Sequence, residues 1–223
     1  GEKMAAKYAS ECLVLSKDMQ RYFKEVYNCD SIIFANGSNI GKKAELNFFK
    51  QEFDLKKNEY YLSLGRITPE KGIHYLIEAY KKTKIKKKLV IAGGDASNKE
   101  YINELKLLAK DDKRIVFTGF VDEEKSNELY SNSYAFILPS DLEGMANTLL
   151  EAMSFGNCCL VSNIAENIEV VNNYAVTFKK SNVLDLADKI QYLEANPQIV
   201  NNLRENSTTY IVEKYSWDKV VDQ

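Results

Sequence analysis

The chain has 223 residues, 45% of them hydrophobic and 28% charged, with a formal net charge of −2. That is an ordinary globular balance, long enough for one full α/β domain and part of another, and without the basic surplus that draws a protein to nucleic acid. No apolar run approaches the length of a membrane span and no signal-peptide pattern opens the chain.

The start at Gly1-Glu2-Lys3-Met4, with no initiator methionine, fits a trimmed chain. A strand is expected over 11–15, after which Ser16 caps a helix over 17–27 and a second strand covers 31–34. Asn36-Gly37 then turns the chain into a polar, Lys-rich stretch, 37–59, that reads as a linker. Two strands and one helix cannot bury a core of their own. Residues 1–36 are therefore expected to be the tail of a preceding domain, with exposed apolar surface that favours self-association.

From Tyr60 the pattern changes to strands alternating with amphipathic helices. Strands are expected over 60–64, 88–92, 115–118, 134–138, 158–162 and 175–178. Helices fit over 73–82, 99–110, 123–131, 147–155, 165–171, 183–195 and 198–214, and Ser216-Trp217 opens a last one. Continuous apolar strands in β-α alternation require an α/β doubly wound parallel sheet, spanning 60–223. Thr68-Pro69 supplies a cap and first-turn proline, and Gly156 closes the helix over 147–155.

The four cysteines lack metal-ligand spacing, and Cys158-Cys159 lies inside an apolar strand, so buried reduced thiols and a cytoplasmic protein are expected. The single histidine, His74, sits in a helical run and reads as a packing or surface residue. The Lys-rich segment 81–88 reads as a solvated helix end and turn rather than a lipid-binding patch.

Two groups of residues carry candidate chemistry. Glu143 and Glu151 are separated by seven residues. The first lies in the loop after a strand and the second about two turns along the helix that follows. At that edge, Gly144 permits a tight backbone, and the first helix amides are free to donate to phosphate or sugar oxygens. Glu151 can accept from a vicinal diol such as ribose, and Glu143 from the hydroxyls of a transferred sugar. Chance spacing of two common residues is the plain alternative. The second group is Gly65-Arg66 with Lys71-Gly72, after the strand at 60–64. These two cations suit a diphosphate, a salt-bridged loop being the alternative. Gly93-Gly94-Asp95 is either an ordinary turn or a loop passing close to a ligand. After Gly119, Phe120 and the Val121 backbone either meet a nucleobase or pack in the core. Asp141 with Glu143 has no third ligand, so no metal site is expected.

Gly65-Arg66, Lys71-Gly72, Gly119-Phe120-Val121, then Glu143 and Glu151, in that order, resemble the retaining GT-B glycosyltransferases. More narrowly, 60–217 is similar to the C-terminal, Rossmann-like domain of the group-1 family (family 4) of bacterial polysaccharide assembly. Residues 8–37, with Ser16 and Asn36-Gly37, look like the end of that family's N-terminal domain. The resemblance implies a donor held mainly by this domain, a UDP-sugar first and a GDP-sugar next, with no cofactor or metal. Arg66 and Lys71 would hold the diphosphate and Glu151 the ribose. Glu143 would face the donor sugar together with the backbone of Gly144, Met145, Ala146 and Asn147, and Phe120-Val121 would lie near the base. Glu143, Arg66 and Lys71 form the implied catalytic set. A saccharide or lipid-linked acceptor is implied, with peripheral attachment to the inner face of the membrane through the N-terminal domain. Without that domain the chain is expected to bind donor but transfer sugar poorly or not at all. Ala146 and Asn157 stand where many members carry proline. A sugar-nucleotide epimerase and a non-catalytic nucleotide-binding or interaction module are the competing readings.

Overall fold

The computed structural model describes residues 1–94 and 97–221. It opens with helix α1 (Glu2–Tyr8), strand β1 (Leu13–Val14), helix α2 (Lys17–Tyr27) and strand β2 (Ile32–Ile33). β1 and β2 pair in parallel as a separate two-stranded sheet, with Leu13 opposite Ile32. Ser16 caps α2 as its sequence position predicts, its hydroxyl accepting from the Met19 amide at 3.2 Å. Leu13 and Ile32 face solvent on this small sheet.

The main sheet has six strands: β3 (Tyr60–Leu64), β4 (Lys88–Ala92), β5 (Ile115–Gly119), β6 (Ala135–Leu138), β7 (Cys158–Ser162) and β8 (Val176–Phe178). Every ladder is parallel, in the order β5-β4-β3-β6-β7-β8. Helices α4 (Ile73–Lys81), α5 (Lys99–Ala109), α6 (Glu123–Asn132), α7 (Asn147–Ser154), α8 (Ala165–Val171), α9 (Val183–Ala195) and α10 (Pro197–Tyr215) follow the strands, and α11 (Trp217–Val221) closes the described residues.

Strand alternation divides the core into two layers. Tyr60, Leu62, Phe136 and Cys159 point to one face, where they meet Leu129, Leu149, Met153 and Ile211. Tyr61, Leu89, Ile137 and Cys158 point to the other, against Leu76, Tyr80, Leu105 and Ile190. Both faces are covered, which is why the strands read as unbroken apolar runs. The two neighbouring cysteines therefore lie on opposite faces as buried free thiols.

Two helices escape sequence reading. One is α1, a short surface segment with no buried residue. The other is α3 (Phe48–Phe53), inside the stretch read as a linker. Its Phe49 is fully buried in the first core layer, as is Leu55 just beyond it. α3 has no side-chain cap of its own. Instead the buried Glu128 carboxylate, from α6, accepts from the amides of Asn47, Phe48 and Phe49 at 2.8, 3.2 and 2.8 Å. A distant carboxylate thus does the work of a local cap, and nothing in the local sequence announces it.

Glu128→Ala would leave three amides at the start of α3 without their acceptor. It is expected to lower unfolding free energy by about 3 kcal/mol in denaturant titration, the scale of hydrogen bonds to a charged group. A loss under about 0.5 kcal/mol would show that water replaces the carboxylate.

Candidate functional site

The strand order reverses between β3 and β6: the chain runs outward through β4 and β5 on one side and through β7 and β8 on the other. At such a switch point the loops leaving the two central strands diverge and open a crevice beyond their carboxyl ends. A cleft of about 230 Å³ lies there, lined by Gly65, Arg66 and Lys71 after β3 and by Pro139, Glu143 and residues 145–148 after β6. The two sequence-predicted groups, more than 70 residues apart in the chain, are brought together by topology.

Glycine shapes this crevice where a side chain would block it. Gly93, at φ +117°, lies so close to β3 that an added Cβ would sit 1.9 Å from the Gly65 carbonyl oxygen. Gly72, at φ +66°, ends the 3-10 turn Pro69–Lys71 and starts α4, and its missing Cβ makes room for the Pro139 carbonyl. Gly93 thus lets the loop after β4 close on that after β3, and Gly72 lets the β3 and β6 loops close on one another. Asp95, the third residue of the Gly93-Gly94-Asp95 loop, lies outside the described residues.

The heart of the cleft is an ion pair. Lys71 Nζ donates to Glu143 Oε2 at 2.7 Å, with the glutamate side chain only 5% exposed. The other carboxylate oxygen, Oε1, accepts from the buried Ser140 hydroxyl at 2.7 Å. Lys71 is therefore salt-bridged, as the plain alternative has it, but to Glu143 of the other candidate group, across the switch point. Arg66 stands beside this pair, exposed, and has no hydrogen bond or ion pair to another described residue. Asp141 turns elsewhere, accepting from the Ser181 hydroxyl at 2.6 Å.

The helix opening the β6 side adds donors. α7 starts after Ala146 without a side-chain cap. The amides of Asn147 and Thr148 have no acceptor among the described residues, and both residues line the cleft. Free first-turn amides facing a polar cleft favour an anion or a hydroxyl-rich ligand.

Glu151 is placed differently from the expectation of one shared crevice. It lines a second cavity of about 540 Å³, with Asn36, Glu123, Tyr130 and Trp217, and the two cavities share Asn147 as a common wall. About one turn from the start of α7, its side chain lies past the lip of the first cleft, so the site is a pair of adjoining hollows. Its carboxyl rests against buried Tyr130, whose hydroxyl donates to it at 3.1 Å. Desolvation by burial raises the Glu151 pKa above the ordinary carboxylate value, the Tyr130 hydrogen bond pulls it down, and the Glu123 charge raises it again.

Phe120 and Val121 line neither cavity. Phe120 is 83% exposed after β5, so core packing is not its role, whereas Val121 packs against the first core layer. Gly144 approaches Leu15 of the N-terminal segment rather than the cleft. Sequence reasoning missed Ser140, Tyr130, Thr148 and, as a cavity wall, Asn36, whose amide donates to Asn147 Oδ1 at 2.7 Å. A serine three residues before a loop glutamate has no periodicity to mark it. Tyr130 reads from sequence only as a helix residue. His74 is held by Tyr101, its Nδ1 2.8 Å from the phenol oxygen, and it lines neither cavity.

Residues 44–210 match the family of glycosyl transferases group 1. The chain belongs to that family. It is 28% identical over 193 residues to the O-antigen biosynthesis glycosyltransferase WclY of Escherichia coli, covering 85% of this chain and 53% of that protein. It is also 28% identical over 244 residues to the UDP-Gal:alpha-D-GlcNAc-diphosphoundecaprenol alpha-1,3-galactosyltransferase of Escherichia coli, covering 100% and 60%. The crystal structure of Anabaena Alr3699/HepE in complex with UDP and glucose superposes with a TM-score of 0.89 at 18% identity, over 99% of this chain and 63% of that one. The fold is thus that of the GT-B glycosyltransferases, and the chain spans only 53% and 60% of the length of these two Escherichia coli relatives.

Tyr130→Phe removes the one hydrogen bond that favours the ionised form of Glu151, so the midpoint of that carboxyl should climb further in a carbon-detected NMR titration. An unchanged or lower midpoint would contradict this account of its environment. The sign for stability follows from the raised folded-state value. The group's contribution is fully present below the unfolded pKa and is lost as pH rises through the folded one.

Proposed function

We propose that this chain is the donor-binding part of a retaining, hexosyl-type glycosyltransferase. It takes a nucleoside-diphosphate sugar, UDP-linked first and GDP-linked next, and its parent enzyme passes the sugar to a saccharide or lipid-linked acceptor in glycan assembly. The observation that carries this reading is the Lys71–Glu143 pair at the switch point, with Arg66, unpaired among the described residues, beside it. An anion entering the cleft meets Arg66 first and competes with Glu143 for Lys71. Once Lys71 turns to the diphosphate, the Glu143 carboxylate is free to accept from sugar hydroxyls. Two cations on the diphosphate stabilise the charge that grows as the bond from the anomeric carbon to the leaving oxygen breaks.

Glu151 in the adjoining cavity stands about one helical turn from the start of α7, a reach that suits the ribose of the same nucleotide. Exposed Phe120, beyond β5, offers a ring for the base. The name of the galactosyltransferase relative specifies a UDP-sugar and a diphosphate-linked lipid acceptor, and the Anabaena structure holds UDP, which supports the preference for uridine. No helix among the described residues is long and apolar enough to cross a membrane. We place the protein on the cytoplasmic side, with peripheral attachment and self-association belonging to the same proposal. The face bearing exposed Leu13, Ile32 and Phe34 is the surface for self-association.

Epimerisation needs a proton-transfer group beside the sugar, and the only histidine is held by Tyr101 and lines neither cavity. Transfer is therefore the favoured chemistry. Incubation of the parent enzyme with a nucleotide-sugar and acceptor separates the two: a glycosylated acceptor supports transfer, and an epimerised nucleotide-sugar overturns it.

Calorimetric titration with UDP and GDP tests the anion site. Arg66→Ala and Lys71→Ala should each weaken binding about 10- to 100-fold, the worth of a charge-assisted hydrogen bond. Glu143→Gln removes the competitor for Lys71 and should tighten binding of the bare nucleotide by a few-fold. Unchanged affinity in both cation variants would remove the diphosphate site. A second titration series uses pH. Ribose binding needs ionised Glu151, so nucleotide affinity should fall on acidification from a pH above the ordinary carboxylate range, and that dependence should vanish in Glu151→Gln.

A further inference from the structure

Behind the Glu143 carboxylate lies a line of polar groups with no part in the donor chemistry above. Ser140, Ser162 and Asn167 are each at most 1% exposed. They come from three separate places: the loop after β6, the end of β7, and α8. The Asn167 amide donates to the Ser162 hydroxyl at 3.1 Å and to its carbonyl at 3.2 Å. The Ser162 hydroxyl donates to the Ser140 carbonyl. The Ser140 hydroxyl donates to Glu143 Oε1 at 2.7 Å, and Lys71 holds Oε2.

A hydroxyl has one proton to donate, so the directions along this line are fixed. Each proton is spent one step nearer the cleft, and the last one falls on the carboxylate. The terminal torsion of glutamate is broad and sets no orientation of its own. A carboxylate held by Lys71 alone would lose its aim when an anion took the cation away. One held at its other oxygen by a buried hydroxyl, itself anchored to β7 and α8, keeps it.

We propose that Ser140, backed by Ser162 and Asn167, is the positioning residue that keeps Glu143 aimed at the donor sugar once Lys71 has turned to the diphosphate. This rests on the reading of Glu143 as the sugar-binding carboxylate. A purely packing role for Ser140 has a different signature, because it would weaken nucleotide and nucleotide-sugar binding alike. Loss of aim affects only the increment that the sugar adds.

The test is calorimetry of the chain with UDP, UDP-glucose and UDP-galactose, and with GDP and GDP-mannose, taking the tightest nucleotide-sugar against its own nucleotide. The quantity read is the ratio of the two affinities. Glu143→Ala should bring that ratio close to one. Ser140→Ala should lower it by about tenfold, the scale of one hydrogen bond to a charged group. Ser162→Ala, one step further back, should lower it in the same direction by less, and it serves as the second variant if Ser140→Ala fails to fold. A ratio unchanged in both serine variants, while Glu143→Ala loses it, overturns the inference and leaves the reading of Glu143 intact. A ratio that survives Glu143→Ala, or one no greater than one in the unaltered chain for every pair, overturns that reading and the inference with it.

Discussion

The site depends on one contact, the ion pair between Lys71 and Glu143. It spans the point where the sheet reverses its strand order, joining the loop after β3 to the loop after β6. In water such a pair would contribute little. Here the carboxylate is nearly sealed from solvent and its second oxygen is satisfied by Ser140. Removing either partner alone would strand a buried charge, which ties the two loops together more firmly than the contact's net strength suggests.

That arrangement leaves the cleft poised. Among the described residues Arg66 has no hydrogen bond or ion pair, the first two amides of α7 have no acceptor, and Lys71 is held by Glu143. All three offer positive charge or donors to the same volume. On the proposed reading, an entering diphosphate exchanges one anionic partner of Lys71 for another, and the released carboxylate is left facing the next group along the ligand.

Much of this was legible from sequence, for identifiable reasons. Strands buried on both faces cannot hide their character, so β3, β4 and β7 begin and end where the apolar runs do. Arg66, Lys71 and Glu143 were legible because a strand-loop-helix unit fixes which edge of a parallel sheet its loops occupy. What stayed hidden depends on partners distant in the chain. α3 is held by a carboxylate from α6, about 80 residues away, in a segment whose lysines suggested a linker. Ser140 takes its importance from Glu143, and Tyr130 from Glu151, neither marked by any pattern. The division into two hollows escaped for a geometric reason. Spacing along the chain gives the separation of Glu143 and Glu151, but not that Asn147 walls one hollow off from the other.

The central claim is that a single nucleotide-sugar spans both hollows and draws Lys71 away from Glu143. A crystal structure of the chain with UDP bound tests it most directly. The diphosphate is expected between Arg66 and Lys71, with the ribose hydroxyls on Glu151 and a Lys71–Glu143 separation beyond ion-pair range. A nucleotide seated elsewhere, or one that leaves that pair in contact, would contradict it.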